Sequence, residues 1–119
     1  MDNRFKAGDY LFFQLEAGFA LLKLLAVEND ESGIVWHLAT FNELFPDAGS
    51  IEQAIENNSS LTIAVPHVAI TDRAFESTQV SDIGNMPLTD EESDLINKWK
   101  ADPNRKVSDR SIRLITGLR

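Results

Sequence analysis

Alternating side chains over the first 40 residues constrain the fold more than any other feature of this sequence. Three such runs cover residues 10–15, 19–28 and 34–40, with glycine-containing turns between them. Period-two alternation places successive side chains on opposite faces of a strand, and short turns join antiparallel neighbours. A helix is the alternative for the second run, because Leu and Ala are good helix formers, but the tight turn before it favours a strand. We therefore predict a three-stranded antiparallel meander.

The middle of the chain combines one short helix with further strands. Residues 50–57 predict two helical turns inserted between strands, with Ser50 as the N-cap. Residues 61–65 return to a strand pattern. Pro66 follows directly and indicates a bulge, an edge strand or a break, because proline cannot donate a hydrogen bond to a strand ladder. A last short strand is expected at residues 79–83.

The last part of the chain carries helical signals. Thr89 and Glu92 have the spacing of a capping box, and Pro103 ends the predicted helix, which covers residues 89–101. Residues 108–118 fit either a capped helix or a closing strand, and we favour the helix. The expected fold is one α+β domain over residues 1–119. We expect a strongly bent antiparallel sheet or small SH3-like barrel of about five strands, with an inserted short helix and a C-terminal helical segment.

Composition excludes several classes of site and of location. The chain has 43% hydrophobic and 25% charged residues, as in an average globular protein. It contains no cysteine, which excludes disulfides, thiolate metal sites and cysteine nucleophiles. No apolar run has the form of a signal peptide or the length of a membrane span. We therefore expect a cytoplasmic protein without membrane contact.

Charge is divided unevenly along the chain. The net charge is −8, and residues 1–97 hold 17 acidic against 4 basic side chains, while residues 98–119 hold 7 basic against 2 acidic ones. The acidic balance argues against nucleic acid as a partner, since binding phosphates requires a basic surface. An acidic body with a basic end is usually self-complementary, so we expect the C-terminal segment to lie on the body. A partner-binding tail is the alternative.

No catalytic signature is present in the sequence. We find no Gly-x-Ser-x-Gly elbow and no glycine-rich phosphate loop, so we assign no catalytic residue, no cofactor and no enzyme activity. His37 and His67 are the only histidines, and no further ligands at usable spacing indicate a metal site. We expect structural roles for both. A metal site would need the two histidines to be completed by Asp72 or Glu43, and we do not expect it. The alternative to structural roles is a small enzyme or ligand-binding domain using either histidine beside Asp72, which a deep polar pocket containing a histidine would favour.

Acidic and aromatic side chains indicate a protein-binding surface. We predict a non-enzymatic protein-binding module whose partner has a basic surface, because carboxylates steer such partners and aromatic side chains dominate binding patches. Burial in the core is the alternative interpretation of Trp36. The predicted partner-binding residues are Glu28, Asp30, Glu31, Trp36, Glu43 and Asp47.

The start of the chain resembles a known group of proteins. Lys6-Ala7-Gly8-Asp9 leads into two apolar runs that end near residue 25, and Ile83-Gly84-Asn85 precedes an acidic helix start. These features are similar to small bacterial immunity-type proteins, in which a Lys-x-Gly-Asp entry leads into the hairpin of a bent, SH3-like sheet. The resemblance lies mainly in residues 6–25. It implies a non-enzymatic protein that binds and blocks a toxin.

Overall fold

The computed structural model describes residues 5–31, 33–57 and 61–117, which form five strands and four helices. In chain order they are β1 (Asp9–Leu15), β2 (Gly18–Asp30), β3 (Gly33–Phe45), α1 (Ala48–Asn57), β4 (Ile63–Thr71), α2 (Asp72–Glu76), β5 (Ser81–Asn85), α3 (Asp90–Ala101) and α4 (Ile112–Thr116). The predicted α+β class is confirmed. None of the helices in these ranges is long and apolar enough to cross a membrane.

The strands form one antiparallel sheet in the order β4-β3-β2-β1-β5. The predicted meander is confirmed as β1 to β3, and β5 returns to pair with β1. In the described ranges β4 and β5 are the two edges and do not pair with each other, so the sheet is open and does not close into a barrel. Pro66 lies in edge strand β4. Leu38 of β3 pairs with Val68, and Thr40 pairs with Val65, so β4 advances by three residues where β3 advances by two. Pro66 therefore sits on an edge strand at a bulge, as predicted.

A second bulge changes which face the end of β2 presents. Leu24 pairs with Leu38, but Ala26 pairs with His37, so β2 advances by two residues while β3 advances by one. The extra residue, Leu25, shifts the alternation of side chains. As a result Leu25 and Ala26 both pack toward α3, although they are adjacent in sequence.

Helices cover both faces of the sheet. On one face α2 and α4 add Phe75 and Ile112 to a core built on β1, β2 and β3. On the other face α1 packs Ile51 against one end of the sheet, and α3 packs Ile96 beside the bulge in β2. Because both faces of the sheet are buried, the central strands carry apolar side chains on both sides. This explains why most of the first nine residues of β2 are Leu or Ala.

The Lys-x-Gly-Asp entry joins the start of β1 to the end of β5. Gly8 has a φ of +92°, and a Cβ on it would lie 2.6 Å from the backbone oxygen of Met86. Asp9 is buried, and its carboxylate accepts from the amide of Lys6 at 2.9 Å and from Nδ2 of Asn85 at 2.8 Å. The motif therefore has a structural role: glycine permits a close approach of two backbones, and aspartate satisfies the donors around it.

Helix boundaries confirm one prediction and correct another. Oγ1 of Thr89 accepts from the amide of Glu92 at 3.1 Å, and the Glu92 carboxylate accepts from the amide of Thr89 at 2.9 Å, which confirms the capping box of α3. The predicted N-cap of α1 is wrong, because α1 begins directly after Asp47, whose side chain accepts from the amide of Ser50 at 2.7 Å. Helix α2, which was not predicted, is capped by Thr71.

The C-terminal segment lies on the body of the protein, as predicted, and it follows the edge of β4. The amide of Ser108 donates to the oxygen of Ala69 at 2.8 Å, and the amide of Thr71 donates to the oxygen of Ser108 at 2.9 Å. The helix favoured for residues 108–118 is confirmed for residues 112–116 only. Ion pairs of both polarities join the basic segment to the body: Lys100 pairs with Glu28, as predicted, whereas Asp109 pairs with Arg73, which is the reverse of the predicted polarity.

Candidate functional site around His67

Three polar side chains form a diagonal line across β2, β3 and β4. His37 on β3 pairs with Ala26 on β2 and with Ala69 on β4. Glu28 and His67 each lie two residues from these partners along their own strands. Diagonal neighbours on one face of a sheet are within reach of long side chains. The bulge in β2 is what brings Glu28 onto the same face as His37.

Hydrogen bonds join the three side chains. Oε1 of Glu28 lies 2.6 Å from Nε2 of His37, and Nδ1 of His37 lies 2.8 Å from Nε2 of His67. An ionised carboxylate can only accept, so Nε2 of His37 carries the proton and Nδ1 of the neutral ring accepts. His67 therefore donates through Nε2, which leaves the lone pair on its Nδ1 free of any hydrogen bond to the described residues. We call these three residues the Glu–His–His network.

Helix α3 closes over the network. The ring of Trp99 meets His37 edge-on, with centroids 4.7 Å apart, and lies 6.4 Å from His67. Nζ of Lys100 lies 3.3 Å from Oε2 of Glu28. His37 is completely buried and both of its ring nitrogens are hydrogen-bonded, so the structural role predicted for this histidine agrees with its surroundings.

Burial lowers the pKa of both imidazoles. For His37 the loss of solvent is the largest cause, the hydrogen bond and charge of Glu28 oppose it, and Lys100 lowers the pKa further. For His67, burial and then the charge of His37 lower the pKa to about 4. Both rings are therefore neutral at neutral pH. Because two adjacent imidazolium ions repel each other, the pair takes up protons in separate steps.

His67 lines an open groove of ≈ 700 Å³ between the edge of β4, the end of α3 and residues 102–108. Trp99 forms one wall, and its Nε1 donates to the backbone oxygen of Lys106 at 3.0 Å. The guanidinium of Arg105 lies 5.6 Å from the centre of the Trp99 ring, within the range of a cation–π contact. The groove falls in the size range of small-molecule sites, about 300–1,000 Å³.

The predicted partner-binding carboxylates do not form one surface. Glu31 is exposed where β2 turns into β3, whereas Glu43 and Asp47 lie at the opposite end of β3, a strand of 13 residues. Glu43 accepts from the amide of Thr62 at 2.8 Å, and Asp47 caps α1. The side chain of Asp30 lies outside the described residues.

Two other predicted partner-binding residues, Trp36 and Glu28, make contacts within the protein. Trp36 is 3% exposed and stacks on Phe75 with ring centroids 3.8 Å apart. It belongs to the core, which was the alternative interpretation, and not to a surface patch. Glu28 is half-buried against His37.

The carboxylate beside the histidines is not one of those expected. Asp72 accepts from Nε1 of Trp36 at 2.8 Å, and Glu43 bonds Thr62, so neither joins the histidines. Glu28 takes that place. Among the residues that the structure describes, no group of three or more His, Cys, Asp or Glu side chains is placed to hold a metal ion.

A smaller cleft of ≈ 280 Å³ opens between β4 and the start of α3. Tyr10 and Phe41 supply apolar walls, and Ile63 beside them is 59% exposed. Glu91 lines the same cleft and is exposed. We call this feature the β4–α3 cleft.

Searches of family models, curated proteins and solved structures found no match to this chain.

Proposed function

We propose that this chain is a non-enzymatic ligand-binding domain whose small-molecule ligand occupies the groove beside His67. The observation that supports this most is His67 itself, which lines a groove of ligand size and is hydrogen-bonded through His37 to Glu28. Titratable groups with strongly shifted pKa values cluster at functional sites, and one that lies in a cleft is a candidate for such a site.

Binding explains the site better than proton transfer does. A general base works best with a pKa near the operating pH, whereas His67 has a pKa of about 4. Such a ring is almost wholly neutral at neutral pH and is a weak base. Its free Nδ1 is, however, a good hydrogen-bond acceptor for a ligand.

The test is a fragment screen read out at the site. Neutral, cationic and anionic compounds are added to labelled protein, and the side-chain NMR signals of His67 and Trp99 are followed. We expect saturable shifts at both signals with at least one compound class, weakened in a His67→Gln variant and unchanged in Glu31→Gln, a control at the remote β2–β3 turn. A library in which no compound of any charge moves these signals contradicts the proposal.

Protein binding is a second candidate function, and the β4–α3 cleft favours it. Apolar walls beside an exposed carboxylate suit a partner segment that carries both apolar and basic side chains. The toxin-blocking role and the SH3-like relationship implied by the immunity-type resemblance belong to this candidate. What supports them is the meander that follows Lys6-Ala7-Gly8-Asp9 and the return of β5 to β1.

This candidate predicts that a partner contacts Ile63 and Glu91. A photo-crosslinking residue at position 63 should capture one defined protein with a basic surface. Ile63→Glu and Glu91→Lys should then lower the association rate, and the rate should fall with salt because steering by charge is screened. Glu31→Lys is the control at the distant turn. Equal loss in the control and in Glu91→Lys would show only a general effect of net charge.

A further inference from the structure

The groove beside His67 is a positively charged concavity on an acidic protein. Its charged lining residues are Arg105, Lys106 and Asp102. The whole chain has a net charge of −8, so a groove with an excess of positive charge stands apart from the rest of the molecule. The adjoining cavity on the other side of Trp99 is lined by Lys100 and by Glu28, which pair with each other.

Some of the charged side chains in and beside the groove already have partners within the protein, and others do not. Oδ1 of Asp102 accepts from the amide of Asn104 at 2.8 Å, which closes a turn. Lys100 pairs with Glu28. Arg105 and Lys106 form no ion pair with the residues that the structure describes, and Arg105 is positioned against the ring of Trp99. Two cations are therefore open to a ligand, and one of them has a defined position.

His67 can add a third positive group. When the histidine pair takes up one proton, Nδ1 of His67 changes from an acceptor to a donor, and Glu28 stabilises the charge through His37 while Lys100 opposes it. Arg105 and Lys106 disfavour this proton in the empty groove, and Asp102 favours it. An anion in the groove would remove the repulsion, so the anion and the proton should bind together.

Resting on the function proposed above, we propose that the ligand of this groove is a small oxyanion, carboxylate or tetrahedral, bound by Arg105 and Lys106 with uptake of one proton by the histidine pair. Charge-assisted hydrogen bonds from guanidinium and ammonium groups to such oxygens are among the strongest polar contacts available to a protein.

The experiment titrates sodium sulfate and sodium oxalate into labelled protein, at constant ionic strength maintained with chloride. Both anions keep their charge between about pH 5.5 and 7.5, and His67, whose pKa is about 4 in the empty groove, is neutral over this range until an anion binds. We expect saturable NMR shifts at His67, Arg105 and Lys106, with binding at least about threefold tighter at the lower pH, because linkage allows up to about tenfold per pH unit. The difference between the two anions reports whether a planar or a tetrahedral ligand fits.

Four variants test which side chains bind the anion. Arg105→Gln should weaken binding about tenfold at both pH values, as expected for loss of a charge-assisted hydrogen bond. His67→Gln should weaken binding at the lower pH and remove its pH dependence. If this variant does not fold, Lys106→Gln, at an exposed position, should weaken binding at both pH values. Arg110→Gln makes the same charge change at an exposed residue that does not line the groove, and should leave binding within about a factor of two.

Shifts that do not saturate, or an equal loss in Arg110→Gln and Arg105→Gln, would overturn the inference in favour of general screening. If neutral or cationic fragments bind at His67 while both anions fail, the ligand-binding function stands and the oxyanion is wrong. If nothing binds there, both proposals fail.

Discussion

Nδ1 of His37 and Nε2 of His67 lie 2.8 Å apart, and the edge of Trp99 closes over the pair. The two rings come from different strands and are stacked almost parallel, with an angle of 9° between their planes. They therefore share one hydrogen bond and respond to protonation together. Under the proposed function, protonation of this pair would affect both the stability of the fold and the binding of a ligand in the groove.

The first prediction concerns stability and pH. Because the folded pKa of His67 lies near 4, below its ordinary value of 6.5, the unfolded state binds more protons in this range. The free energy of unfolding should therefore be fully retained above pH 6.5 and fall as the pH drops toward 4, by up to about 1.4 kcal/mol per pH unit for this one group. Denaturant melts of wild type and His67→Gln across this range measure the difference. Parallel curves for the two proteins would show that His67 does not titrate in this way.

The second prediction concerns the buried ion pair of Lys23 and Glu92. Lys23 is buried, with 3% of its surface exposed. Its Nζ lies 2.9 Å from Oε1 of Glu92. Glu92→Gln leaves the lysine buried without its counter-charge, so it should cost about 3–5 kcal/mol, whereas adding Lys23→Met should restore much of this loss. Glu91→Gln, one residue away and exposed, is the control and should stay within about 0.5 kcal/mol. A loss of similar size in both single variants would mean that the effect comes from the helix dipole and not from the pair.

The third prediction separates backbone strain from steric conflict at two glycines. Gly8 and Gly33 have φ values of +92° and +122°, but only at Gly8 would a Cβ collide, 2.6 Å from the oxygen of Met86. Gly33→Ala should cost about 1–3 kcal/mol from strain alone. Gly8→Ala should cost more, because the β1–β5 contact must also open. Thermal melts of the two variants compare these costs directly, and equal losses would show that the neighbouring backbone moves aside without penalty.

The fourth prediction concerns Trp99 as the support of the groove. Trp99→Phe keeps an aromatic ring beside His37 but removes the Nε1 donor to the oxygen of Lys106. We expect a loss of about 1 kcal/mol, as for a typical hydrogen bond, and faster amide exchange confined to residues 102–108. Hydrogen exchange measured by NMR tests this. Unchanged exchange in that segment would mean that the hydrogen bonds of Ser108 to β4 hold it alone.

Local signals in the sequence determined the meander, the capping box of α3 and the irregularity at Pro66. Each depends on residues within a few positions of one another: alternation and short turns define antiparallel neighbours, and a cap is made by a residue and the helix that follows it. A proline acts on its own strand. For these reasons the sheet of about five strands and the helical C-terminal part could be predicted, although Asp47 replaced Ser50 as the cap of α1.

The candidate site was decided only by the tertiary structure. In a regular strand Glu28 alternates with Leu25 and would lie on the opposite face, but the bulge that accommodates Leu25 against α3 turns Glu28 toward His37. His67 reaches the same point from 30 residues further along the chain, through a register that packing selects. The burial of Trp36 likewise depends on α2, which supplies Phe75 from a distant part of the sequence. Side chains far apart in sequence meet according to register and bulges, and these follow from how the helices pack on the sheet and not from any local pattern.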